Sequence, residues 1–461
     1  MGADTVWKLR KAVRLPFLDF TPLTERERTT RRERELNAPH APGLYRDVVP
    51  VTRRPGGAPV LGGDGEVIDW VLRMACVPAG DFLDRRAAAG ELSPDLLDRM
   101  ADTVAAMHAR LPPIARDQAA GFAWLARGNR ASALSARLPA PRIEAWFAAM
   151  QQHLERLAPW LRAREAAGHV RRIHGDLHLG NLCLWHGAPV PFDALEFDEA
   201  MATFDTAYDL AFLLMDLDLR AGRPAANRVM NRYIARTGDI DLLAGLPAFL
   251  SMRAMVRAHV AARSADPAAA GRYLDAAAAY LAPVPPVVLA IGGLQGTGKS
   301  TQARRLAPAL GPAPGAVILR SDEIRKFLNG VVPEERLPQS AYHPDVSRAV
   351  FATLARHTAI AAAAGHAVIA DGMFFGPDQR AAIEAAAGAT PFHGFWLAAP
   401  MAELEARVAA RTADASDADL SVLRRAAKND PGPGAWHLVR AGNADDPVAQ
   451  MRSIMRHNNT I

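Results

Sequence analysis

Two regimes of apolar and polar spacing divide the chain. From residue 287 onward, short apolar runs alternate with helix-length amphipathic stretches. Residues 287–291 (Val-Val-Leu-Ala-Ile) read as a buried parallel strand, because β-branched residues run without polar alternation. Strands over 317–320, 367–370 and 392–397 follow. Helices are expected from 301, over 323–329, 345–364, 377–387 and 401–411. Strand and helix in alternation predict a parallel α/β sheet with ligands at the strand C-termini.

The front of the chain is patterned differently. Residues 4–13 alternate like a strand, and residues 23–38 read as a charged, solvated helix. Strands are expected over 45–51 and 66–74, then helices over 94–110, 141–166, 203–221, 225–236 and 243–281. The aromatics Trp146, Phe147 and Trp160 lie on one apolar helical stripe and read as core. Residues 282–286 (Ala-Pro-Val-Pro-Pro) read as a stiff linker. The expected division is therefore 1–281, a linker at 282–286, and 287–461, with no internal repeat.

The 461 residues suit two or three domains, and half of them are apolar. No uncharged apolar run reaches the length of a membrane span, and the charged N-terminus lacks a secretory leader pattern. Cys76 and Cys183 stand alone, which excludes a disulfide framework and fits a reducing cytoplasm. The net charge of +5 is dispersed. It suits anionic substrates such as nucleotides, and it offers no basic stripe with stacking aromatics for nucleic acid. The lysines are Lys8, Lys11, Lys299, Lys326 and Lys428; arginine does the rest. A lysine where a phosphate needs a point charge is therefore informative.

The densest chemistry is Gly293, Leu294, Gln295, Gly296, Thr297, Gly298, Lys299 and Ser300, with Thr301 opening the helix behind them. Strand, glycine loop and helix together form a phosphate cradle of inward backbone N–H groups. Lys299 is expected on the β- and γ-phosphates of ATP, and the Ser300 hydroxyl on Mg²⁺. Asp322, just past the strand 317–320, reads as proton acceptor from a substrate hydroxyl, or as N-cap of helix 323–329, roles that can coexist. Arg325, one turn on, reads as a phosphate clamp, and Asp371, at the end of its strand, as part of the Mg²⁺ shell. Arg407 and Arg411 share a helix face, either a lid over the nucleotide or a solvated basic face.

In the front half, His174-Gly-Asp176-Leu-His-Leu-Gly-Asn181 sets an Asp five positions before an Asn. This spacing lets the Asp deprotonate a hydroxyl while the Asn ligates metal. Asp193 follows a short apolar strand, where a second metal-binding carboxylate belongs. His178 has no second His or Cys at ligand spacing and reads as a loop histidine.

Residues 287–435 resemble the small P-loop kinases of the gluconate kinase, polynucleotide kinase and zeta-toxin-like group, on Gly293–Ser300, Ser321-Asp322-x-x-Arg325, Asp371 and the arginine helix before residues 414–418. The resemblance implies that Asp322 handles the acceptor hydroxyl. Residues 1–280 resemble the aminoglycoside phosphotransferase and choline-kinase-like family, whose loop reads His-Gly-Asp-x-x-x-x-Asn. That implies Asp176 as base, Asn181 and Asp193 as metal ligands, and Asp209 as a structural acid. Such folds pair a strand lysine with a helix glutamate: Lys8 with Glu33 is the expected pair, Glu35 the runner-up. Lys8 comes so early that the glycine hairpin and its strands have no room: either the true start lies upstream, or the fold has a truncated N-lobe without its phosphate lid. The combination resembles bifunctional aminoglycoside phosphotransferase/ATP-binding fusions. The resulting expectation is two phosphotransferase modules using ATP and Mg²⁺ on a small hydroxylated acceptor. The rival is an ATP-binding regulatory protein whose front half is a pseudokinase or binding module.

Overall fold

The computed structural model describes residues 4–15, 18–410, 415–458 and 460. Two compact units emerge, and they interleave along the chain. The first is Met1–Gly222 with Met252–Leu274; the second is Arg223–Ser251 with Asp275–Ile461. This differs from the single expected boundary at 282–286, and the reason lies inside the second unit.

That unit holds a five-stranded sheet, all parallel, in the order Val317–Arg320, Val368–Asp371, Val288–Gly293, Phe392–Ala398, His437–Arg440. The central strand is buried along its whole length. Each of its large apolar side chains is worth about 1.5–3 kcal/mol of burial. Leu289, Ile291, Phe395, Leu306, Met451 and Met455 share one core. The strand His437–Arg440 and the helix Pro447–His457 that supplies Met451 were not expected from the pattern.

The open edge of Val317–Arg320 is capped by the helix Arg223–Thr237. Asn231 Oδ1 accepts from the Ile318 N–H at 2.6 Å, and Asn227 and Asn231 donate to the Ala316 carbonyl at 3.0 and 3.3 Å. An uncovered sheet edge presents unpaired backbone groups, and two asparagines on one helix face satisfy them here. This helix therefore belongs to the second unit although it precedes the proline stretch.

The first unit begins with an antiparallel sheet in the order Thr5–Leu9, Glu66–Ala75, Tyr45–Arg53, Val60–Leu61. The strand expected over 4–13 is shorter, because a hairpin of Arg14–Leu15 with Leu18–Asp19 follows it. The helix Leu23–Asn37 buries Arg26, Thr29, Thr30, Glu33 and Asn37. It is thus not wholly solvated: only its outer face carries the pairs Arg28–Glu25, Arg31–Glu27 and Arg32–Glu35.

The remainder of this unit is mostly helical. Gln118–Ser135, which the pattern did not reveal, is a helix beside Ala140–Ala166. The helix expected over 203–221 starts at Thr206, because Thr203–Asp205 pairs with Val170–Arg172 as a short ribbon. There Arg164 donates twice to Asp205, at 2.7 and 2.8 Å, with both side chains fully buried. The helix expected over 243–281 divides into Leu246–Arg263 and Pro267–Ala279. Pro267 sits at the start of the second piece, where a missing N–H costs nothing.

Candidate functional sites

In the second unit the phosphate loop joins the central strand to the helix Lys299–Leu306. Gly293 has φ 127°, and a Cβ there would collide with the Leu397 carbonyl oxygen. Gly296 has φ 83°, and a Cβ there would fall 2.9 Å from the Leu404 carbonyl oxygen. Only glycine permits this backbone so near its neighbours. The Thr297 hydroxyl donates to the Leu294 carbonyl at 2.8 Å, which braces the loop. Gln295 donates to Met373 Sδ, and its buried Oε1 lacks a hydrogen-bond partner among the described residues. Lys299 Nζ donates to the Gly293 and Leu294 carbonyls at 3.0 and 2.9 Å.

The parallel register sets Asp371 opposite both Ile291 and Arg320. The Ser300 hydroxyl donates to Asp371 Oδ2 at 2.5 Å, so the two residues expected to share a metal are in contact. Arg320 Nε approaches the same oxygen at 3.5 Å and its Nη1 donates to Glu323 at 2.9 Å. The helix after this strand is Ser321–Leu328, with Arg320 in the N-cap position and no side-chain capping bond. Asp322 lies in its first turn and is not its N-cap. Desolvation is the largest influence on the Asp322 carboxyl and raises it, with Asp371 adding and Arg320, Lys299 and a hydrogen bond from Ser416 opposing.

Arg325 is buried. It donates to the Ala341 carbonyl at 2.8 Å and to Ser347 at 3.3 Å, and its guanidinium lies 4.8 Å from the Tyr342 ring centre. In this arrangement it holds the segment before helix Pro344–Ala363. Arg407 donates to the Gly296 carbonyl at 3.3 Å, the Ala441 carbonyl at 2.8 Å and Asn443 at 2.8 Å, and so buttresses the phosphate loop. Arg411 lies outside the described residues.

In the first unit Lys8 on the edge strand donates to Glu33 Oε1 at 2.8 Å and to Asp193 Oδ1 at 2.5 Å. Glu33 is thus the glutamate in contact with Lys8, while Glu35 turns outward to Arg32. Burial works against the Lys8 ammonium, but Glu33 and Asp193 outweigh it and raise its pKa. Glu33 is pushed up to about 7, chiefly by desolvation, with Lys8 and Arg10 pulling the other way.

Arg10 was missed. It bridges Glu33 Oε2 at 2.5 Å and Glu196 Oε1 at 2.6 Å. Its position two residues after Lys8, just past the strand end at Leu9, was the available signal.

The loop Asp176–Asn181 is tied internally. Asn181 Nδ2 donates to the Asp176 carbonyl at 2.9 Å and to its carboxylate at 2.8 Å. Desolvation opposes ionisation of Asp176, but His178 at 3.6 Å, His174 and Arg253 bring it down to about 2. Asp209, fully buried, accepts from the His174 and Gly175 N–H groups at 2.9 Å each, and pairs with His108 at 3.2 Å. Asp193 has φ 61°, an uncommon backbone state for a residue with a side chain. The Tyr45 hydroxyl, which accepts from its N–H at 2.8 Å, helps hold it there. Such strain concentrates where a side chain must be aimed. Two contact groups result: Lys8 with Glu33 and Asp193 at the sheet, and Asp176 with Asn181 in the loop.

Residues 58–248 match the model of the phosphotransferase enzyme family, and residues 288–429 match that of an AAA domain. The chain thus joins a region similar to the phosphotransferase enzyme family to a region similar to an AAA domain. Uncharacterized proteins of Mycobacterium tuberculosis and Mycobacterium bovis are 26% identical over 485 residues, covering 99% of this chain and 93% of theirs. Among solved structures, a gluconokinase from Sinorhizobium meliloti 1021 is 18% identical, with TM-score 0.26, over 38% of this chain and 97% of its own. The GDP complex of an aminoglycoside 2'-phosphotransferase-IIIa is 14% identical, with TM-score 0.35, over 61% and 87%. An ethanolamine kinase from Plasmodium vivax is 9% identical, with TM-score 0.36, over 59% and 75%. The phosphotransferase match includes helix Arg223–Thr237, which packs within the P-loop unit. No helix among the described residues is long and apolar enough to cross a membrane.

Proposed function

We propose that the chain is an ATP-dependent phosphotransferase whose P-loop domain moves the γ-phosphoryl group to a hydroxyl of a small molecule. One observation carries this reading: the Ser300 hydroxyl and Asp371 carboxylate meet at 2.5 Å, at the strand ends, next to Lys299. Hard oxygen donors of this kind suit Mg²⁺, and the left-handed glycines leave the loop backbone free to face an anion. Ser300 and Asp371 would hold the metal, the loop and Lys299 would hold ATP, and bound Mg·ATP would supply the transferable phosphoryl group. Asp322 is the base. Its raised affinity for a proton moves it toward the range in which a carboxylate accepts one from an alcohol.

In the phosphotransferase-family domain, Lys8 with Glu33 would orient a second nucleotide. Asn181 and Asp193 would hold its metal, and Asp176 would serve as base. The contacts of Lys8 with Glu33 and Asp193, and of Asn181 with Asp176, support this assignment.

The test is transfer from γ-labelled ATP to a panel of sugars, polyols, amino alcohols and aminoglycosides, using the full-length protein. Asp322→Asn is expected to lower transfer by roughly two to four orders of magnitude with nucleotide affinity near normal. Full transfer in that variant would remove the base role of Asp322.

A further inference from the structure

The buried lysine Lys326 has no part in the site described above. Its Nζ donates to both oxygens of Asp417, at 2.9 and 3.0 Å, and to the Glu335 carbonyl. The Asp417 carboxylate also accepts from the Tyr342 hydroxyl at 2.6 Å and the Leu337 N–H at 3.0 Å. One carboxylate, 11% exposed, thus gathers donors from a helix and from two places on the wall formed by residues 335–342. The neighbouring Ser416 hydrogen-bonds the Asp322 carboxylate. The far end of the wall is anchored too: Glu334 pairs with Arg232 at 2.7 Å and Arg236 at 3.2 Å.

We propose that Asp417 is a positioning residue: by pinning residues 415–419 to Lys326 and to the wall 335–342, it holds Ser416 against the Asp322 carboxylate. The inference rests on Asp322 being the acceptor-side base. A buried ion pair is a poor source of net stability, since desolvation offsets its attraction. What it supplies, with donors from three residues converging on one carboxylate, is one geometry over its alternatives. The position of this pair gives that geometry a use. The groups around Asp322 from the adjoining elements are Arg320, Lys299, Asp371, Arg325 and Tyr342. Ser416, uncharged like Tyr342, reaches the carboxylate from the strap formed by residues 415–419, so its placement depends on what holds the strap.

The test needs no acceptor. Asp322 in the full-length protein is labelled with a water-soluble carbodiimide and an amine at one fixed pH, and the mass shift of its peptide is followed over time. Ser416→Ala and Asp417→Asn are each expected to raise labelling of Asp322 about threefold or more, since the carboxylate loses a donor that favours its ionised form. Ser416→Thr, which keeps the hydroxyl, is expected to label like the parent. Affinity for a fluorescent Mg·ATP analogue stays unchanged in all three. Unchanged labelling in Ser416→Ala, or equal gains in Ser416→Ala and Ser416→Thr, overturns the proposal; should Asp417→Asn fail to fold, the serine pair decides alone. Full phosphoryl transfer by Asp322→Asn would instead remove the base role, and the labelling would still decide whether the strap holds Ser416 in place.

Discussion

Asn231→Leu tests whether helix Arg223–Thr237 is part of the P-loop unit. The side chain is similar in size and apolar, so the change removes hydrogen bonds while keeping volume. The Ile318 N–H loses its acceptor at 2.6 Å, while the Ala316 carbonyl keeps Asn227 at 3.0 Å. The loss is therefore one stranded, half-buried donor at Ile318, together with the 3.1 Å donation from Asn231 to the buried Asn227 Oδ1. An unsatisfied buried donor costs about 1–3 kcal/mol, and partial exposure places this one at about 1–2 kcal/mol. In guanidinium chloride that lowers the midpoint of the second unit by about 0.2–0.5 M. The assay is denaturant unfolding of the full chain, with hydrogen–deuterium exchange resolving the peptide that contains residues 316–320. Faster exchange there, in parallel with the lower midpoint, is expected. An unchanged midpoint with unchanged protection of that peptide would show that the asparagines do not secure the sheet edge.

Two further outcomes are expected. In a Lys299→Met background, which silences the P-loop, Asp193→Ala is expected to weaken residual Mg²⁺-dependent nucleotide binding about tenfold or more; titration with and without Mg²⁺ measures this, and metal-independent binding untouched by the change counts against the front site. His366 is buried, its Nε2 has no partner among the described residues, and desolvation brings it down to about 4. Because its folded value is depressed, stability is full above about 6.5 and is lost as pH falls from there toward 4, by roughly 2 kcal/mol at pH 5. His366→Leu is expected to flatten that part of the stability–pH curve, and a slope equal to the parent's would refute the assignment.

The phosphate loop was legible because its information is local. Three glycines, a lysine and a serine fall within eight consecutive positions between a strand and a helix, and the physics of anion binding acts at that range. Asp371 was legible as a strand-end acid, since a parallel sheet gathers its strand C-termini along one edge. The Lys8–Glu33 pair was legible because both elements have strong patterns. The role of helix Arg223–Thr237 was not. Its periodicity is the same whichever sheet it covers, and only Asn227 and Asn231 carry the partner's identity. Thr203–Asp205 was hidden because three residues are too short to show a period. Asp417 was beyond reach for a different reason: it stands 91 positions from Lys326, and no local pattern joins them.

The division of labour between the cations ties these observations together. Arginine in this chain binds several fixed acceptors at once. Arg26 reaches Asp69, Phe20 and Thr21, and Arg253 reaches Tyr208 and Gly175. Its planar fork suits that task, and its charge is never in question. Lysine is rare, and three of the five stand where one compact charge meets oxygens from different directions. Lys8 meets two carboxylates, Lys299 meets the carbonyls of the phosphate loop, and Lys326 meets Asp417 and a carbonyl. The first two could be read as sites because a motif stood beside them. Lys326 had no motif, yet it obeys the same rule, which is why its scarcity pointed to the strap that the folded chain builds around Asp417.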